Sequence, residues 1–263
     1  MLSMKIAVII PAAGSSTRFG SKDKLAVDIG GRPLLLRTVE FFTKREDVAL
    51  IVVAGPCNAF DTFKETFGTS LAFHGVKIVQ GGATRSESIQ QALINITDEI
   101  TTVIVHDAAR PAISNELFDK ILLASKNFPA VAAALPVNGT LKSTAPSAET
   151  ILDDDEIADS ILGAASQSSI EAYRVKKTIN RTNIWEMQTP QCFELSLLKR
   201  AYSMDGIENC TDDAQVVENL GEPVHLIKGD SRNIKVTTIE DYYLIKAILG
   251  LKGESERPAH KRF

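Results

Sequence analysis

Short, nearly unbroken apolar runs alternate along this chain with amphipathic segments of helical length. Ile6-Ala7-Val8-Ile9-Ile10, residues 48–54 (VALIVVA), 76–79 (VKIV), 102–105 (TVIV) and 130–135 (AVAAAL) are the runs. Apolar runs without polar alternation fit strands buried on both faces, the habit of parallel sheets. Between them lie helical stretches over 34–42, 85–96 and 115–126. Pro33 suits the first helical position of one, and Ile89, Leu93 and Ile96 share a face of the next. A helix over 212–220, a strand over 223–228 and a helix over 240–249 are predicted to close the domain. Strands separated by such helices predict βαβ units, right-handed crossovers and a mainly parallel α/β sheet with helices on both faces. Ligands in such sheets lie beyond the carboxyl ends of the strands. The loops after the first strand and after 102–105 therefore attract the functional reading.

The alternation falters over residues 143–174, rich in Ser, Ala, Asp and Glu and including Asp153-Asp154-Asp155-Glu156. That stretch is expected to be an excursion, with regular structure resuming at Val175. The reading is one domain over 1–250, an excursion at about 139–180, and a polar tail over 251–263. A net charge of −4 gives no support for a nucleic-acid surface, though one basic pocket fits within it. Cys57, Cys192 and Cys210 form neither a metal-ligand spacing nor a disulfide framework, and no run reaches 18 apolar residues. A cytoplasmic protein with no membrane or nucleic-acid partner is expected.

The first strand empties into Pro11-Ala12-Ala13-Gly14-Ser15-Ser16-Thr17-Arg18-Phe19-Gly20. Small side chains there leave backbone N–H groups open to phosphate oxygens. Arg18 and Lys24 bring positive charge to the same neighbourhood. A P-loop is excluded, because it needs four residues between its glycines and then Lys-Ser/Thr; here five separate Gly14 from Gly20, and Ser21 follows. The dinucleotide fingerprint and the nucleophile elbow are absent as well. An ordinary glycine-containing βα turn is the alternative at this point.

Pro-Ala-Ala-Gly-x-x-x-Arg after a first strand resembles the signature of sugar nucleotidyltransferases. The nearest pattern is that of the 2-C-methyl-D-erythritol 4-phosphate cytidylyltransferase family. Residues 81–88 (GGATRSES), 105–111 (VHDAARP), 188–191 (QTPQ), 211–213 (TDD) and 233–237 (NIKVT) follow in the family's order. The resemblance implies a three-layer, Rossmann-like nucleotidyltransferase fold with a protruding arm that joins a homodimer. It implies transfer of CMP from CTP to methylerythritol phosphate, with Mg²⁺ carried mainly by the CTP phosphates and no dedicated protein ligands.

By that resemblance Arg18 and Lys24 are the catalytic cations that stabilise the reacting α-phosphate. Pro11, Ala12, Ala13, Gly14, Ser15, Gly82, Ser88, Asp107 and Ala108 would form the CTP site. Asp107, Arg110, Thr140, Arg181, Thr189, Thr211 and Lys235 would position the polyol phosphate. His106 is read as structural, since an anionic phosphate nucleophile needs no base. A purely structural Asp107–Arg110 pair stands as an alternative.

Three departures from the family pattern bear on this. Asp23-Lys24-Leu25 stands where Pro-Lys-Gln is usual, with Lys22 a second candidate for the catalytic lysine. Asn138-Gly139-Thr140 lacks the usual aspartate, and the 143–174 stretch is longer than the usual connection. The competing readings are a cytidylyltransferase for ribitol 5-phosphate or another polyol phosphate, and a non-catalytic nucleotide-binding module. A metal-dependent glycosyltransferase is suggested only by the D-x-D within Asp153-Asp154-Asp155, which lies in the polar excursion rather than at a strand end.

Overall fold

Seven strands form the central sheet of the computed structural model, which describes residues 4–14, 23–152 and 169–251. Their spatial order is β11-β5-β10-β4-β1-β2-β3, with β1 Ile6–Pro11, β2 Val48–Gly55, β3 Lys77–Gln80, β4 Thr102–Val105, β5 Ala130–Pro136, β10 Trp185–Glu194 and β11 His225–Lys228. β1 pairs in parallel with β2 and β4, β2 with β3, and β5 with β11. β10 runs antiparallel to β4, so the sheet is mainly parallel, as the apolar runs predict.

Burial on both faces follows directly from those runs. Ile6, Val8 and Ile10 point into one apolar layer with Leu35, Val39 and Phe42 of α1 (Leu34–Thr43), Phe63 and Phe67 of α2 (Phe60–Phe73), and Phe118 of α4 (Asn115–Ser125). Ala7 and Ile9 point into the other, with Ile89 and Leu93 of α3 (Arg85–Leu93), Leu198 of α5 (Leu195–Tyr202) and Val217 of α6 (Asp213–Asn219). Successive strand residues alternate between the two layers because the side-chain period is two. Ile245 of α7 (Ile239–Ile248) joins the first layer.

Local boundaries moved slightly from expectation. The helix expected over 85–96 ends at Leu93, and the helix expected from 212 begins at Asp213 because Asp212 is its cap, accepting from the Gln215 N–H at 2.9 Å. Helix α2, strand β10 and helix α5 have no counterpart among the elements expected from the sequence. In β10 the polar Gln188, Thr189 and Gln191 interrupt the apolar signal, yet all three are buried.

Residues 136–186 form a unit of their own. Within it β6 (Leu141–Thr144) pairs antiparallel with β9 (Val175–Ile179), and β7 (Glu149–Leu152) with β8 (Ser169–Ala172). The expectation that regular structure resumes only at Val175 is therefore corrected. Short exposed two-stranded ladders need little apolar content, so their polar composition hid them. The Asp153–Glu156 run lies outside the described residues.

Candidate nucleotide-binding and catalytic site

The loop after β1 leaves the sheet with its first turn tied down, since the Ala12 N–H donates to the Ala54 carbonyl at 2.7 Å. Ala12 is buried, Pro11 and Ala13 are half-buried and Gly14 is exposed. A Cβ at Gly14 would meet no atom of the described residues within 4 Å. Ser15, Arg18 and Lys22 lie outside the described residues. Lys24 opens the 3-10 turn Lys24–Ala26, and Asp23 caps that turn by accepting from the Leu25 N–H at 2.9 Å. The Asp23 departure from the family pattern thus has a local role, fixing the backbone that carries Lys24.

The second loop, Gly81-Gly82, joins β3 to α3. The Gly81 N–H donates to the Gly55 carbonyl at 2.8 Å, and the Gly82 N–H to Ser88 Oγ at 3.1 Å. The Ser88 hydroxyl donates in turn to the Thr84 carbonyl at 2.8 Å and is buried. Thr84 and Glu87 form a capping box, with Glu87 Oε2 also accepting from the Ala83 N–H at 2.6 Å. A Cβ on Gly82 would overlap the Glu87 side chain, so only glycine fits this approach. Ser88 therefore braces the glycine loop through its backbone.

Beyond β4 the chain builds an ion cluster. The Asp107 carboxylate meets Lys235 Nζ at 3.0 Å, Arg110 Nε at 3.3 Å and Arg85 Nη2 at 3.9 Å. Burial alone would raise its pKa, but Lys235, Arg85 and Arg110 outweigh burial and hold it well below the carboxylate range. Its N–H donates to Thr189 Oγ1 at 3.0 Å, and Arg110 Nη1 donates to the Asn233 carbonyl at 2.8 Å. Arg110 thus both pairs with Asp107 and ties two loops together. The Ala108 carbonyl accepts from Thr38 Oγ1 at 2.8 Å. His106 is fully buried against Phe42, with Nε2 3.0 Å from the Arg110 carbonyl. Burial lowers its pKa to about 4, leaving a neutral, structural imidazole.

Arg85, within the 81–88 segment, belongs to this cluster although its local sequence points to no role there. Its Nη2 lies 2.6 Å from Oδ2 of the fully buried Asp213, whose Oδ1 accepts from Tyr202 OH at 2.5 Å. Burial opposes the Arg85 charge, but Asp213 overrides it and raises the pKa further. The signal available was the doubled acid Asp212-Asp213: one caps the helix and the other turns inward.

The 2-C-methyl-D-erythritol 4-phosphate cytidylyltransferase family matches residues 6–161 and 150–251. The protein of that name from Rhodopirellula baltica is 33% identical over 256 residues, covering 93% of this chain and 94% of the relative. The chain belongs to this family. A bifunctional IspD/IspF enzyme from Desulfotalea psychrophila is 33% identical over 94% of this chain, which spans 58% of that longer protein. A crystal structure of 4-diphosphocytidyl-2C-methyl-D-erythritol synthase superposes with a TM-score of 0.72 at 29% identity, over 94% of this chain and all of the other.

Thr189 is buried in β10, and Gln191 beside it donates to Asp212 Oδ2 at 2.9 Å while accepting from the Ala214 N–H at 2.9 Å. β10 thereby fastens the Asp107 loop and the start of α6 to one strand. Thr211 is exposed, its hydroxyl 3.1 Å from Gln215 Oε1. Thr140 and Arg181 are exposed residues of the separate 136–186 unit. Among the described residues no cluster of three His, Cys, Asp or Glu side chains is arranged to hold a metal. Asp107 and Asp213 are each engaged by cations or a hydroxyl, so they do not fit as magnesium ligands. No described helix is long and apolar enough to cross a membrane.

Proposed function

We propose that the protein transfers CMP from CTP to 2-C-methyl-D-erythritol 4-phosphate, giving 4-diphosphocytidyl-2-C-methyl-D-erythritol and pyrophosphate. The observation that carries the reading is the ion cluster on Asp107, in which Lys235 keeps 44% of its side chain exposed at the ligand-bearing edge of a family fold. A phosphate oxygen of the substrate attacks the α-phosphorus of CTP. The bond from that phosphorus to the bridging oxygen breaks, and pyrophosphate leaves with the electron pair. The nucleophile is already anionic, so the demand on the protein is alignment and charge neutralisation. Lys24 and Arg18 are the proposed partners of the α-phosphate, and Pro11, Ala12, Ala13, Gly14, Ser15, Gly82, Ser88, Asp107 and Ala108 the proposed CTP site. Lys235, Arg110, Thr189, Thr211, Thr140 and Arg181 are proposed to position the polyol phosphate.

Magnesium is proposed as charge compensation held on the triphosphate oxygens. A homodimer in the cytoplasm completes the reading.

The test is turnover of CTP with methylerythritol phosphate and, in parallel, with ribitol 5-phosphate. Preference for methylerythritol phosphate is expected. Preference for ribitol 5-phosphate overturns the substrate assignment. Lys24→Ala is expected to lower kcat by about 10²–10³, the loss usual for one preorganised electrostatic donor. Unchanged turnover in that variant would overturn the catalytic assignment of Lys24, and absence of turnover in the parent chain would leave a binding module as the better account.

A further inference from the structure

Arg85 occupies an electrostatically poor position. It is the first residue of α3, where the helix dipole favours an anion over a cation. The helix has no need of it, because Thr84 and Glu87 already form the capping box. Asp213 is likewise not the cap of α6, since Asp212 fills that role. Buried ion pairs are a weak source of stability, so stability alone does not account for this one.

What the pair does is fix a position. Asp213 has both oxygens occupied, by Arg85 Nη2 at 2.6 Å and Tyr202 OH at 2.5 Å, so its carboxylate cannot rotate freely. Tyr202 is itself buried, its carbonyl accepting from Gln90 Nε2 at 2.8 Å. Held this way, Arg85 Nη2 reaches to 3.9 Å from Asp107 Oδ1.

We infer that Asp213, with Tyr202, is a positioning residue for the reaction: it anchors Arg85 so that Asp107 is fixed between Arg85, Arg110 and Lys235. This rests on the transfer reading proposed above. Arg85, Arg110 and Lys235 against Asp107 and Asp213 leave one positive charge in excess, available to an incoming phosphate at the half-exposed Lys235. Without the Asp213 charge, Arg85 is released toward Asp107 or toward the phosphate. Anion attraction is then kept or strengthened while alignment is lost, which separates kcat from KM.

The experiment measures kcat and KM for CTP and methylerythritol phosphate, with thermal melts, in the full chain and in Asp213→Asn, Asp213→Glu and Tyr202→Phe. In Asp213→Asn kcat falls about tenfold to a hundredfold, the loss expected of a misplaced reacting group, while neither KM rises. Asp213→Glu restores most of the loss, and Tyr202→Phe, which removes only the donor to Asp213, shows a smaller fall in kcat. A folded Asp213→Asn protein with kcat unchanged overturns the inference. Should that variant not fold, Tyr202→Phe decides, and unchanged kcat there overturns it equally. Absence of turnover in the parent chain overturns the transfer reading itself, whereas an active parent with unaffected variants overturns only the positioning role.

Discussion

The Thr189 hydroxyl accepts the Asp107 N–H at 3.0 Å, and both residues are buried. Thr189→Val keeps the shape and removes the acceptor, leaving a buried N–H unpaired. The expected cost is about 1–3 kcal/mol in urea unfolding, with Thr189→Ser close to the parent. Asp107 and Lys235 were legible as site residues because each sits in a short motif at a strand end or loop. Arg85 stood in such a motif too, yet its partner lies 128 residues away, and nothing near Arg85 announces it. The doubled acid at 212–213 was visible, but which carboxylate caps and which is buried depends on how α6 docks.

Helix α3 and its glycine turn behave as one element. Gly81 and Gly82 approach backbone and side chain too closely for a Cβ, and the capping box of Thr84 and Glu87 sits directly against Gly82. Gly82→Ala is expected to force that turn apart, lowering stability by about 1–3 kcal/mol, as overpacking does, and raising KM for CTP. Thermal melts and CTP titration check it. Glu87→Ala, which opens the box without a clash, is expected to cost about 1 kcal/mol or less. The helix itself was legible from its apolar face, whereas β10 was not. Its buried Gln188 and Gln191 serve long-range bonds to the Asp230 carbonyl and to Asp212, and a buried polar residue in isolation reads as exposed.

Stability of the folded protein should carry the mark of His106. Its pKa is lowered from 6.5 to about 4, chiefly by burial, so the unfolded chain binds a proton between those values while the folded chain does not. Stability is therefore full above about pH 6.5 and is lost as pH falls toward 4, by about 3 kcal/mol for a shift of that size. Urea unfolding at pH 7 and pH 4.5 measures the loss, and His106→Gln is expected to flatten that part of the profile. A profile unchanged by the substitution would assign the loss to other groups.

The amino-acid order determined the parallel strands, since unbroken β-branched runs have a stable place only between two apolar layers. It also determined the family, through loop motifs carried within a few residues each. The tertiary structure alone decided that an antiparallel, polar-studded β10 lies beside β4, that Asp213 anchors Arg85, and that Asp107 gathers three cations. Periodicity reports which face of an element is apolar. Which elements become neighbours is settled by sheet order and docking, where contacts join residues that no local pattern relates.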